Sequence, residues 1–141
     1  MSGSKPKPRR EVQPAKKSET RQRVLIVDDD WSMRQLLKSV FELSGFEVQL
    51  AKDEAEFRDQ ALNNPADAII LDIMLADRNG VEIYNRLIEE GLDRAIPVVF
   101  LSALAEDRPP TFPQKDRRYS LVGKPFDPQK LVDSIREVLS L

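Results

Sequence analysis

Four sets of polar residues stand directly after short apolar runs, and their types define the chemistry on offer. Asp28-Asp29-Asp30 follows Val24-Leu25-Ile26-Val27, and Asp72 follows the run from Ala68 to Leu71. Ser102 follows Pro97 to Leu101, and Gly123-Lys124-Pro125 follows Tyr119 to Val122. A lone aspartate after a strand is commonly a helix cap, and Asp30 is read as one. The chain has no histidine and no cysteine, so the donor set is oxygen only. That set suits a hard ion such as magnesium, which takes carboxylates, waters and phosphate in octahedral geometry. Zinc and copper would be poorly served. A carboxylate beside such an ion can attack phosphorus to give an aspartyl-phosphate. The ion and a lysine would then neutralise the phosphoryl oxygens, and a serine hydroxyl can donate to one of them. The same composition excludes a disulfide scaffold, thiol catalysis, a Ser-His-Asp triad and a phosphohistidine carried by this chain.

These residues must be positioned by elements, and five alternating beats supply them. Val24 to Val27 reads as a buried strand. Met33, Leu36, Leu37, Val40 and Phe41 then recur at helical spacing, ended by Ser44-Gly45. Phe46 to Leu50 alternates and predicts a second strand toward an edge. Residues 53–62 predict a second helix, stopped by Asn63-Asn64-Pro65. Ala68 to Leu71 is apolar on both faces and therefore central. Ile83, Tyr84, Leu87 and Ile88 line a third helix ending at Gly91; Pro97 to Leu101 is strand four and Tyr119 to Val122 strand five. The last helix starts near Asp127, with Leu131, Ile135, Val138 and Leu139 inward. Strands alternating with helices predict an α/β fold: one doubly wound, five-stranded parallel sheet with helices on both faces. Pro109, Pro110 and Pro113 interrupt the stretch where a fourth helix belongs, so that segment is expected to be short or irregular. Trp31 is expected to lie as cover over the first helix, Tyr84 at the edge of the core, and Phe126 packed inward.

The 141 residues suit one domain. Residues 1–23 hold eight Lys/Arg and two Glu, and the remaining residues hold 14 basic and 22 acidic side chains. A basic tail of +6 therefore precedes an acidic domain of −8. The tail carries three prolines and one large apolar residue, Val12, so disorder is expected over 1–23 and a folded domain over 24–141. No stretch approaches the ~20 apolar residues of a membrane span, and no signal peptide is visible, so a cytoplasmic protein is expected.

The ordered set resembles the response-regulator receiver domain of two-component signalling, the CheY-like superfamily. The matching pieces are Val24 to Asp30, Leu71-Asp72-Ile73-Met74 with Gly80, Phe100-Leu101-Ser102-Ala103, and Gly123-Lys124-Pro125-Phe126. The resemblance covers residues 24–141 and implies a flavodoxin-like strand order, 2-1-3-4-5. It implies that Asp72 is the phosphoacceptor, charged by a partner histidine kinase or phosphotransfer protein. It implies magnesium, with manganese as a substitute, held by Asp29 directly, Asp28 through water, Asp72, and the main-chain carbonyl of Met74. Lys124 would contact the phosphoryl group, Pro125 would follow a cis bond, and Ser102 would be the switch hydroxyl. The signal would pass by protein contact to a downstream protein target, since no DNA-binding segment is left to assign after the last helix.

Three departures from the family pattern stand out. Ala76 replaces the usual proline four residues past the acceptor, which is expected to loosen that loop. Leu121 occupies the position where an aromatic often swings inward on activation. The three prolines disturb the fourth helix. Met74 and Leu104 occupy positions that often tune loss of the phosphoryl group; both are apolar, so a long-lived phosphoryl group is expected. Two other readings compete. One is a degenerate receiver that docks partners without taking phosphate. The other is a haloacid-dehalogenase-like phosphatase, whose Asp-x-Asp would be Asp28 and Asp30; Trp31 stands where that family has glycine, and no acidic pair follows Lys124.

Overall fold

A computed structural model describes residues 21–103 and 119–140. The elements are β1 (Arg23–Val27), α1 (Trp31–Leu43), β2 (Glu47–Ala51), α2 (Glu54–Asn63), β3 (Ala68–Asp72), β4 (Met74–Leu75), β5 (Arg78–Asn79), α3 (Gly80–Glu89), β6 (Val98–Ser102), β7 (Tyr119–Gly123) and α4 (Pro128–Leu139). Five of the strands form one parallel sheet in the order β2-β1-β3-β6-β7. Counting the strands of this sheet alone, that is the expected order 2-1-3-4-5.

Because side chains alternate across a strand, the apolar runs feed two separate cores. Leu25, Val27, Ile69, Leu71, Val98 and Phe100 face α2 and α3. Val24, Ile26, Ala68, Ile70, Val99 and Leu101 face α1 and α4. Burying each such side chain is worth about 1.5–3 kcal/mol, so these runs drive the layering. The helices start where the sequence places caps. Asp30, Asp53, Asn79 and Asp127 accept main-chain N–H bonds at the starts of α1, α2, α3 and α4.

Several expectations need correction. Arg23, counted with the tail, is the first residue of β1 and is buried. Its N–H donates to Asp67 Oδ2 at 2.7 Å and its guanidinium pairs with Glu47 at 3.5 Å. β1 therefore begins one residue before Val24. Leu36 is 47% exposed, because the buried stripe of α1 runs through Arg34, Leu37 and Phe41, flanked by Met33 and Val40. Trp31 is 66% exposed and covers little. Tyr84 lies fully buried rather than at the core edge, edge-on to Phe100 at 5.9 Å between centroids. Phe126 packs against the α1/α4 core as expected. The tail up to residue 20, the proline-interrupted segment 104–118 and Leu104 lie outside the described residues.

The loop after β3 is the main surprise. β4 and β5 pair as a small antiparallel hairpin, with Leu75 opposite Arg78. The two residues between them, Ala76 (φ +50°) and Asp77 (φ +65°), are both left-handed. Two central residues with positive φ are the signature of the tight hairpin turn. Proline is fixed near φ −65° and cannot adopt this conformation. Ala76 thus sits in a backbone conformation closed to the family's usual proline.

Candidate functional site

The strand order reverses between β1 and β3, the place where open α/β sheets bind ligands beyond their strand ends. Register brings the polar residues level there. Val27 pairs with Leu71, so Asp28 and Asp72 end neighbouring strands. Asp72 lies beside Leu101, and Ser102 beside Gly123. The main-chain N–H of Lys124 donates to the Ser102 carbonyl at 2.7 Å. Asp28, Asp29, Asp72, Ser102 and Lys124 therefore share one rim, as the sequence suggested. The Lys124–Pro125 peptide is cis.

Asp72 is 5% exposed, and both its oxygens are engaged. Oδ1 accepts from the Met74 N–H at 3.1 Å, and Oδ2 accepts from Lys124 Nζ at 2.9 Å. Asp28 is 1% exposed; its Oδ1 accepts from the Asp30 N–H at 2.9 Å. Its Oδ2 lies buried with no hydrogen-bond partner among the described residues, and Lys124 Nζ is 3.6 Å away. Asp29 is exposed, and oxygens of Asp28, Asp29 and Asp72 lie within 4.8 Å of one another.

Burial pushes the Asp28 carboxyl above its ordinary range; the Asp30 N–H and Lys124 oppose this, while Asp72 and Asp29 add to it. Burial likewise raises Asp72, against the Lys124 hydrogen bond and charge. For Lys124, burial works downward, but the hydrogen bond and charge of Asp72, with Asp28, carry its pKa above the usual lysine value. Three crowded carboxylates and one ammonium leave negative charge uncompensated. An orphaned buried oxygen facing that cluster suits a hard, oxygen-seeking cation, so the residues fit magnesium.

The other singled-out residues fall as follows. Met74 is 58% exposed, and its place in the hairpin brings its main chain to Asp72. Leu121 is partly buried against the α2/α3 core, opposite Phe100. Gly80 opens α3, and a Cβ there would run into the main-chain carbonyl of Asp72. Only glycine lets the chain close this near the acceptor. Asp30, half of the phosphatase motif, spends its carboxylate capping α1, bonding Ser32 and Met33 N–H.

Two charged residues, Arg34 and Glu54, are not singled out by the apolar pattern of the sequence. Arg34 is buried, and its Nη1 donates to the Asp28 carbonyl at 2.7 Å. Its signal was present: Arg34, Leu37 and Phe41 lie at i, i+3 and i+7 on the buried stripe of α1. Glu54 gathers Arg58, Arg78 and Arg86 at 3.4, 3.0 and 2.9 Å, tying α2 to the hairpin and α3.

The sequence matches the response regulator receiver domain family over residues 24–136. The phosphate regulon transcriptional regulatory protein PhoB of Escherichia coli is 34% identical over 118 residues, spanning 83% of this chain and 51% of that protein. The transcriptional regulatory protein GltR of Pseudomonas aeruginosa is 28% identical over 116 residues, 82% of this chain and 48% of the relative. The chain thus spans about half the length of these curated relatives. Among solved structures, a CheY-like receiver domain protein from Methanospirillum hungatei has a TM-score of 0.70 at 22% identity, covering 85% of this chain and 94% of that one. The chemotaxis protein CheY4 of Vibrio cholerae has a TM-score of 0.69 at 26% identity, covering 84% and 98%. A doubly wound sheet with an acidic switch-point rim, matched by this family over most of its length, leaves one conclusion: the chain belongs to the response regulator receiver domain family of two-component systems.

Proposed function

We propose that Asp72 accepts a phosphoryl group from a histidine kinase or phosphotransfer protein, and that the domain passes the change to a downstream protein by contact. The observation that carries this is the buried Asp72 carboxylate, oriented through one oxygen by the Met74 N–H and through the other by Lys124. An Asp72 oxygen attacks phosphorus as the bond from phosphorus to the donor's imidazole nitrogen breaks. The nitrogen keeps the electron pair and is protonated from solvent. Lys124, already beside Asp72, follows the new negative charge. Ser102, on the next strand end, donates its hydroxyl to a phosphoryl oxygen.

Asp28, Asp29, Asp72 and the Met74 carbonyl would hold magnesium, or manganese in its place, and the bound ion would neutralise charge on the phosphoryl oxygens. Leu121 in place of an aromatic means that the response cannot be read through a swinging ring at that position. The unit is the folded domain from Arg23 onward, working in the cytoplasm. Intact-protein mass after incubation with a small phosphodonor and magnesium tests the reading. One phosphoryl group is expected on the wild type and none on Asp72→Asn or in chelator. No addition to the wild type, under conditions that charge a control receiver, would refute it in favour of a docking module.

A further inference from the structure

Three of the four polar atoms of Asp28 are held by hydrogen bonds, and the bond to its carbonyl has no counterpart in the phosphoryl chemistry. Its N–H donates to the Ala51 carbonyl at 3.1 Å and its Oδ1 accepts from the Asp30 N–H at 2.9 Å. Its Oδ2 is left facing Asp29, Asp72 and Lys124. Its carbonyl accepts from Arg34 Nη1 at 2.7 Å in a buried, charge-assisted bond. Arg34 is itself fixed, because its N–H donates to the Asp30 carbonyl at 3.0 Å, near the start of α1. The guanidinium therefore reaches back from the helix to the strand end and closes the turn that carries all three aspartates.

We propose that Arg34 is the positioning residue of the cation site: it sets the β1–α1 turn so that Asp28 and Asp29 present their oxygens together with Asp72. The inference rests on the magnesium reading above and concerns the metal-binding step alone. Charge and geometry make opposite demands on this residue. A fixed cation beside a cation site repels the incoming ion, so a purely electrostatic Arg34 would weaken magnesium binding and its removal would strengthen it. A positioning Arg34 does the reverse, since groups that orient metal ligands are commonly worth about 10–100-fold in affinity.

The test is a magnesium titration of the full chain, read by the fluorescence of Trp31, the single tryptophan, which follows Asp30 directly, and by calorimetry. Arg34→Met keeps the apolar stem and loses charge and donors; about tenfold weaker binding is expected. Arg34→Lys keeps the charge and loses the planar fork, and an intermediate loss is expected. Unfolding midpoints in chelator show whether each variant is folded, and if Arg34→Met is not, Arg34→Lys decides. Unchanged or tighter binding in the folded variants would overturn the positioning role while leaving the magnesium reading intact. Absence of saturable binding by the wild type would instead overturn the magnesium reading, and this role with it.

Discussion

Replacing Asp28 by asparagine should stabilise the metal-free protein and destabilise it relative to wild type once magnesium is added. Oxygens of the three aspartates lie within 4.8 Å of one another. At an effective dielectric of about 20, a like-charge pair at that separation costs about 3–4 kcal/mol. The attraction of Asp28 to Lys124 at 3.6 Å returns about 4–5 kcal/mol. Asp28→Asn removes two repulsions, the one to exposed Asp29 being screened by solvent, and one attraction. It also removes a buried charge, and the asparagine carbonyl can still accept from the Asp30 N–H. The net expectation is a gain of about 1–2 kcal/mol in chelator, or roughly 3–10 °C in melting temperature for a domain of this size. Magnesium at a hundred times its dissociation constant would add about 2.7 kcal/mol to the wild type, and much less to the variant. Melting curves followed by circular dichroism across a magnesium series should therefore cross. A variant that melts below wild type in chelator, or two curves that rise in parallel, would refute the reasoning.

Further outcomes follow from other parts of the rim. Gly80→Ala forces a Cβ into the Asp72 carbonyl; a loss of about 1–3 kcal/mol is expected by thermal unfolding, with reduced phosphoryl uptake measured by intact mass. Ala76→Pro, which restores the family's usual residue, should cost at least about 1 kcal/mol, because φ +50° is closed to proline. Asp77→Gly should gain about 0.5–1 kcal/mol at the same turn; if both variants melt like wild type, the hairpin is not the solution structure. In chelator, raised carboxyls at Asp28 and Asp72 favour the folded state below their ordinary 3.8, and that benefit is lost as pH rises through their folded values. Glu54, held low mainly by its Arg86 hydrogen bond, contributes in the opposite sense: its share is present above 4.5 and lost as pH falls. In chelator, Asp28→Asn should accordingly gain less stability than wild type as pH falls toward 3.8, because it lacks one of the two raised carboxyls; the same pH dependence in both proteins would contradict it.

What could be read from the sequence was set by how strongly burial imprints on it. Strands covered on both faces need apolar residues throughout, so β1, β3 and β6 stand out as runs, and the polar residues ending them mark the rim. Their place at the ends of apolar runs makes the shared rim of Asp28, Asp72, Ser102 and Lys124 legible in the sequence. Residue direction on a helix was harder. Met33, Leu36, Leu37, Val40 and Phe41 fit one apolar face, yet the stripe turns toward Arg34, whose long apolar stem can be buried behind a charged head. That substitution hid both the exposure of Leu36 and the role of Arg34. The β4–β5 hairpin left no trace because two-residue strands have no period, and alanine gives no warning of a left-handed turn. Arg23 looked like the last charge of a basic tail because its partners, Glu47 and Asp67, lie far along the chain.

Lys124 stitches the sheet across its width. Its side chain reaches Asp72 at the end of β3 and Asp28 beyond β1, its amide is bonded to the Ser102 carbonyl at the end of β6, and its own main chain continues from β7. Four of the five strands thus meet at one residue, while the two cores beneath stay apolar and close-packed. Anything that shifts the anchor at Asp72 Oδ2 therefore bears on a residue that also touches the ends of β1 and β6 and continues β7.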